Sequence, residues 1–396
     1  MNAARTSLFF HLVFIFIIST SILLTIGCGQ VAMTAAATPT PTPAASTTIS
    51  NPHNFVYVTV YESSTVEAFE ISSGGNVSAI PGSPFKTAEG PATIARNQDF
   101  LFVGSMGVNQ LTPDKDLITS YRIDPDTGAL TQVAQLNTGI PATMAVDLAG
   151  RFLYIGGSGL FSIAASGQLT AVPAPPAGSM PDAQGDFVFN PSGKFVYSWG
   201  TPVGHGDPGP FATFAAVDPQ TGMMSDGQML GLKTNGLAVT PDGKFMVVST
   251  GTGLVLDEAC TYTINPNTGA PTGSIAGTGP ALPFSCVTAS GPVDSVALHP
   301  SGALVAATGP PGTAMLSLSN GNLRQISTVS FPSTMPLAIV AFSRDGKYLF
   351  VAGLPEGFVS NTHEVLVYQV NADTGALTQA PGSPFALSAA PGHMAP

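Results

Sequence analysis

Three ionisable side chains occupy places where water could be activated: Asp186, Asp294 and His393. A histidine beside a carboxylate is a minimal acid–base set, in which one group takes the proton and the other orients the base. Thr93, Thr143 and Ser295 hold the same place in a repeated phrase and would offer neutral hydroxyls to a ligand. Trp199 opens the long polar stretch "GTPVGHGDPGPF"; it is either a stacking face for a sugar or peptide, or a half-buried blade-edge residue. His205 in that stretch and His363 in "SNTHEV" are further loop histidines. With nearby carboxylates they could hold a metal, but solvated loop residues at different radii explain them without one. The chain has no HExxH, GxSxG or phosphate-cradling glycine loop. No cofactor and no metal are expected.

The elements that must position these groups are strands. The 396 residues include 44 Gly and 35 Pro, with 44% hydrophobic and 9% charged. So many breakers cannot sit inside long helices. Short Val/Ile/Phe/Tyr runs between them indicate an all-β chain with tight turns.

One phrase recurs: a Pro/Asp/Ser-Gly turn followed by an aromatic strand, as in "NPHNFVYVTV", "FNPSGKFVYS", "VTPDGKFMVVS" and "FSRDGKYLFVA". The first strand residues after the turn are Phe55, Phe100, Phe152, Phe195, Phe245, Leu304 and Tyr348, spaced by 43 to 59 residues. That is blade spacing. A second phrase follows each copy, clearest in "SYRIDPDTGALTQV", "AAVDPQTGMMS" and "YQVNADTGALTQA". Asp or Asn caps its turn and Gly takes a positive φ in a hairpin. Aspartates 124, 126 and 218 in these turns are explained by capping without calcium. The expected fold is a seven-bladed β-propeller of four-stranded antiparallel blades.

Seven innermost strands are required, yet only linker precedes the first copy. Its innermost strand must be "PGHMAP" at the far end of the chain, so the ring closes by pairing the C-terminal strand with the first blade, leaving no open edge. Registering these strands gives a small column: Ala95, Ala145, Val188, Ala238, Ala297, Ala341, Ala395. Small side chains fit where seven strands crowd the axis. Two residues earlier lies a ring at the channel mouth: Thr93, Thr143, Asp186, Gly236, Ser295, Ile339 and His393, with Asp294 adjacent. We call this end the top; the turns before the aromatic strands mark the bottom.

The strand "YVTV", the "PDGKF" turns and the "DPxTGxLT" hairpins resemble the lactonase-type seven-bladed propellers, which include YVTN-repeat and 6-phosphogluconolactonase-like proteins. The resemblance spans residues 51–396 and implies fold more than activity, because turns and strands carry it. Phosphogluconolactonase-like members tend to have an Arg-His pair where the last innermost strand begins. Here that place reads Pro391-Gly392-His393. Arg151, Lys194, Lys244, Arg344 and Lys347 fall in bottom turns, whereas a phosphate site wants convergent cations. The expected function is a ligand- or protein-binding module with its ligand on the top face. The alternative is a hydrolase acting on a non-phosphorylated lactone through Asp186, Asp294 and His393.

Residues 1–27 read as an export signal: Arg5 followed by an apolar run of near membrane-span length. It ends in Thr25-Ile26-Gly27-Cys28, which resembles a bacterial lipobox and implies cleavage and lipidation at Cys28; an uncleaved anchor is the other reading. Gly29 after the cysteine points to the outer membrane by the lipoprotein rule. Residues 28–54 are a Pro/Thr/Ala-rich tether and 55–396 the propeller. Removing the leader takes away Arg5 and no acidic side chain, so the net charge moves from −11 to −12. That acidic balance argues against nucleic acid as a partner; the ligand or partner is otherwise open and a monomer is expected. Outside the cytoplasm, Cys260 and Cys286 are expected to form a disulfide that pins a long top loop.

Overall fold

A computed structural model describes residues 54–107, 116–138, 143–156, 159–173, 187–200, 211–225, 227–250, 258–272, 283–288, 293–309, 312–331, 337–354 and 363–396. They contain no helix. The proposed signal segment, Cys28, Asp186 and His205 lie outside the described residues.

Seven antiparallel sheets form seven blades. Their innermost strands are Pro391–Ala395, Pro91–Arg96, Met144–Val146, Phe187–Phe189, Leu237–Val239, Ser295–Leu298 and Leu337–Phe342 for blades 1 to 7. Blade 1 joins the two ends of the chain: Pro391–Ala395 pairs with Asn54–Val60 through Tyr57↔Ala395 and Val58↔Met394. Blades 1 and 7 each carry an additional short segment, Phe85–Lys86 and Phe385–Ala386, on their third strands. Both follow the same "PGSPF" phrase.

The expected register holds. Ala95, Ala145, Val188, Ala238, Ala297, Ala341 and Ala395 pair with Phe102, Tyr154, Tyr197, Val247, Ala306, Phe350 and Tyr57. Each partner is the third residue of an aromatic strand. The role of the small column differs from simple crowding at the axis. Seven apolar clusters form the core, one for each pair of neighbouring blades. In them Ala395 shares a cluster with Ile94, Ala95 with Met144, Ala145 with Phe187 and Ala297 with Val340. At these four interfaces a small residue of one innermost strand packs in the same cluster as a larger one of the next, as close-packed strands require. At Gly236 the approach is tighter still: a Cβ would lie 2.8 Å from the Val296 nitrogen.

The two repeated phrases meet across blades. Phe55, Phe100, Phe152, Phe195, Leu304 and Tyr348 are buried, and burying such a ring contributes about 2–3 kcal/mol. The hairpin of the next blade covers each. A Cβ on Gly128 would come 2.8 Å from the Phe55 ring, and one on Gly222 would come 2.8 Å from Phe152. Phe245 is the exception and is only half-buried.

Candidate functional site

At the top end the described part of the ring is Thr93, Thr143, Gly236, Ser295, Ile339 and His393, on six different innermost strands or the residues leading into them. Thr93 pairs with Gly104, Ser295 with Thr308 and Ile339 with Ala352. The Gly156 amide donates to the Thr143 carbonyl at 3.0 Å and the Ser249 amide to the Gly236 carbonyl at 2.9 Å. These partners form a second column behind the ring: Thr59, Gly104, Gly156, Ser249, Thr308 and Ala352, small or hydroxyl-bearing throughout.

His393 is half-buried. Its strand bulges beside it, because the register slips between Val58 and Val60. The Thr59 hydroxyl fills the gap: it accepts from the His393 amide at 2.7 Å and donates to the His393 carbonyl at 3.3 Å. A side chain on Gly392 would come 2.8 Å from that hydroxyl, so glycine is required there. The bulge thus aims His393. Thr59 was the residue missed in the sequence; its only signal is a threonine in an otherwise apolar strand, "YVTV".

Asp294 leads into the blade 6 strand, its amide donating to the Thr308 carbonyl at 2.8 Å. One carboxyl oxygen is buried and has no hydrogen-bond partner among the described residues. Burial raises its pKa above the ordinary carboxylate value. Burial thus disfavours the charged form relative to a free carboxylate; the group accepts hydrogen bonds when ionised and can donate one when protonated. The Thr93 hydroxyl is likewise buried without a partner among the described residues. Asp294 and His393 are separated around the ring by the blade 7 innermost strand.

Other candidates fall elsewhere. Trp199 does not open a loop: it is within the strand Phe195–Gly200, opposite Ala212, half-buried against the cluster between blades 4 and 5. His363 is exposed beside the third strand of blade 7, outside the ring. The two described top-side lysines are peripheral: Lys86 is on the extra segment of blade 1, and Lys233 is on a fourth strand with its ammonium over Phe211. Among the described residues, Arg96 is the sole cation on an innermost strand, and it stands at the bottom end. His299 is a buried turn residue whose ring bridges Ser301 and the Gly346 carbonyl at 2.7 and 3.0 Å.

Cys260 and Cys286 form the expected disulfide. Cys286 is not in a loop, however. It lies in the fourth strand of blade 5, directly opposite Cys260. Glu258 is close to both sulfurs, but neither sulfur can ligate as a thiolate while they are bonded to each other. Asp124 is engaged in its own turn, accepting from Asp126 and Thr127 amides at 3.1 and 2.9 Å.

Residues 47–159 match the family described as "Lactonase, 7-bladed beta-propeller". Comparison with curated proteins finds no match. Among solved structures, a Bacteroides uniformis protein provisionally named a 6-phosphogluconolactonase is similar at 17% identity and a TM-score of 0.65, covering 87% of this chain and 99% of its own. A periplasmic gluconolactonase of Pseudomonas aeruginosa is similar at 15% identity and a TM-score of 0.61, covering 87% and 98%. At these identities the likeness is one of fold.

Proposed function

We propose, from the premise that the chain is a seven-bladed propeller of the lactonase type, that it binds a neutral, hydroxyl-rich small molecule at the channel mouth. The observation that carries this is the buried Asp294 carboxyl oxygen without a partner among the described residues, at the same end of the ring as Thr93, Thr143 and Ser295. An unpaired buried oxygen is costly unless something comes to it. The peripheral placement of Lys86 and Lys233 favours an uncharged ligand over a phosphorylated one. We further propose that the propeller works outside the cytoplasm, tethered through Cys28, a reading supported by the apolar leader and the disulfide.

A second reading is lactone hydrolysis at the same place. Its support is the histidine whose backbone is held by Thr59 and the carboxyl shifted by burial, two groups at the same end of the ring able to serve as base and acid on a ligand spanning the mouth. D-Glucono-1,5-lactone and D-gluconate separate the two readings. Calorimetric binding without turnover, weakened in Asp294→Asn, supports the binding module. Turnover lost in both Asp294→Asn and His393→Ala supports the hydrolase. Binding of neither compound would overturn both.

A further inference from the structure

Phe245 departs from its column. The other six members are 2% to 9% exposed, whereas Phe245 is only half-buried. The cause lies in the next blade. Blades 2, 4, 5 and 7 close their outer hairpins with loops such as Asp218–Gly222, which lie across the preceding ring. Blade 6 instead uses the two-residue turn Asn320-Gly321, closed by the pair Ser319↔Asn322. Both turn residues are left-handed, with φ of 48° and 81°, as the tightest hairpins require. Gly321 packs against one side of the Phe245 ring, at Cε1, Cζ and Cδ1, and the rest of the ring stays partly exposed.

The partly exposed ring faces an open groove of about 330 Å³ between the bottom turns of blades 5 and 6, at the low end of small-molecule sites, about 300–1,000 Å³. Phe284 stands beside it, 53% exposed, with the two ring centroids 5.7 Å apart and tilted by 55°. Asp242 and Lys244 pair at 3.4 Å on the rim and cancel each other's charge. The Asn320 side chain is exposed on the groove wall.

We propose that this groove is a second ligand site and that its ligand is a neutral sugar ring. A pyranose lays its C–H face on an aromatic ring and turns its hydroxyls outward. Here a carboxylate, an ammonium and an amide wait at the rim to receive them. A charged ligand finds no net countercharge at the closed ion pair. A purely apolar one would strip water from the Asn320 side chain and from the outer faces of the Asp242–Lys244 pair without replacing its hydrogen bonds. The groove is at the opposite end of the ring from the channel mouth, so it is independent of the function proposed above.

Saturation-transfer difference NMR with maltose, cellobiose and N,N′-diacetylchitobiose tests the assignment on the whole propeller. Transfer to the ring C–H protons of at least one disaccharide is expected. Phe245→Leu removes the aromatic face but restores the residue type that blade 6 uses at Leu304, so the fold should persist. Affinity should fall about tenfold or more in that variant and weaken in Phe284→Ser, while His393→Ala leaves it unchanged. No transfer with any of the three sugars overturns the proposal. So does an affinity unchanged in Phe245→Leu, or transfer that disappears in His393→Ala.

Discussion

The Tyr197 hydroxyl donates a 2.6 Å hydrogen bond to the carbonyl of Gly269, in the hairpin of the next blade. The same latch joins Tyr57 to Gly128 at 2.8 Å and Tyr154 to Gly222 at 2.7 Å. Where the tyrosine is absent another donor serves: Arg122 to the Ala165 carbonyl, Thr261 to Gly321 and Ser327 to Gly375. Tyr348 closes the circle onto Ser72 of blade 1 at 3.0 Å. Every interface between blades thus carries a bottom-face hydrogen bond above its apolar cluster. Burial pushes the Tyr57 hydroxyl up to about 12, keeping it a donor at any ordinary pH.

Tyr197→Phe leaves the Gly269 carbonyl without its donor and should destabilise by about 1–2 kcal/mol. Gly269→Ala should cost more, about 3 kcal/mol, because the new methyl overlaps the Phe195 ring and the backbone is left-handed there, at φ 74°. Urea titration of both variants checks the order; a Gly269→Ala protein as stable as the wild type would refute the interlock.

Deleting residues 391–396 removes the innermost strand of blade 1 and takes Met394 and Ala395 out of two apolar clusters. Arg96 and Arg344 guard the bottom of this seam. Arg96 donates to the Phe55 carbonyl, and both donate to the Asn97 carbonyl, at 3.5 and 3.2 Å. They do for blade 1 what a continuous turn does elsewhere, since its inner two strands come from opposite ends of the chain. The truncated protein should melt lower by on the order of 10 °C and Arg96→Met by a few degrees. Calorimetric scans that superpose on the wild type would show that closure is unimportant.

Residues 93, 143, 295 and 393 could be placed in one ring from sequence because strand register is a local property: a turn and an alternation fix which side chains share a level. Tight turns made the blade count legible for the same reason. What stayed hidden depends on distant segments. The openness of Phe245 is decided by the length of a hairpin in the next blade. The aim of His393 is set by Thr59, more than 300 residues earlier in the chain. Cys286 read as a loop residue because Ser285–Thr288 is a short outer strand with little apolar signal. Trp199 looked like a loop opening because glycine and proline follow it, although the strand runs on to Gly200.

The Cys260–Cys286 bond closes a 26-residue interval between strands that already pair. The chain-entropy argument gives about 3 kcal/mol for such a loop. Reduction should therefore lower stability by no more than that and free the intervening hairpin for proteolysis, leaving the other blades folded. Limited proteolysis with and without reductant, read by mass spectrometry, checks it. Cleavage spread across all blades would mean that the bond supports the whole ring.

Asp294 supplies the pH dependence. Its folded pKa lies above the unfolded value of 3.8 because burial disfavours the charged form. At pH below the unfolded value both states are protonated and the group costs nothing. As pH rises through 3.8 the unfolded chain ionises first and gains solvation that the folded protein lacks, so stability declines until the folded pKa is passed and is then level. Asp294→Asn removes this penalty. The variant should gain stability relative to the wild type as pH is raised above about 4, with the difference vanishing in acid. A ligand that donates a hydrogen bond to the ionised carboxylate would reverse the trend: it should bind more tightly above the folded pKa than below it, and lose that dependence in Asp294→Asn. Parallel pH series of melting temperature and of gluconolactone binding test both halves. A difference between variant and wild type that is independent of pH would mean that the carboxyl does not titrate differently in the folded state.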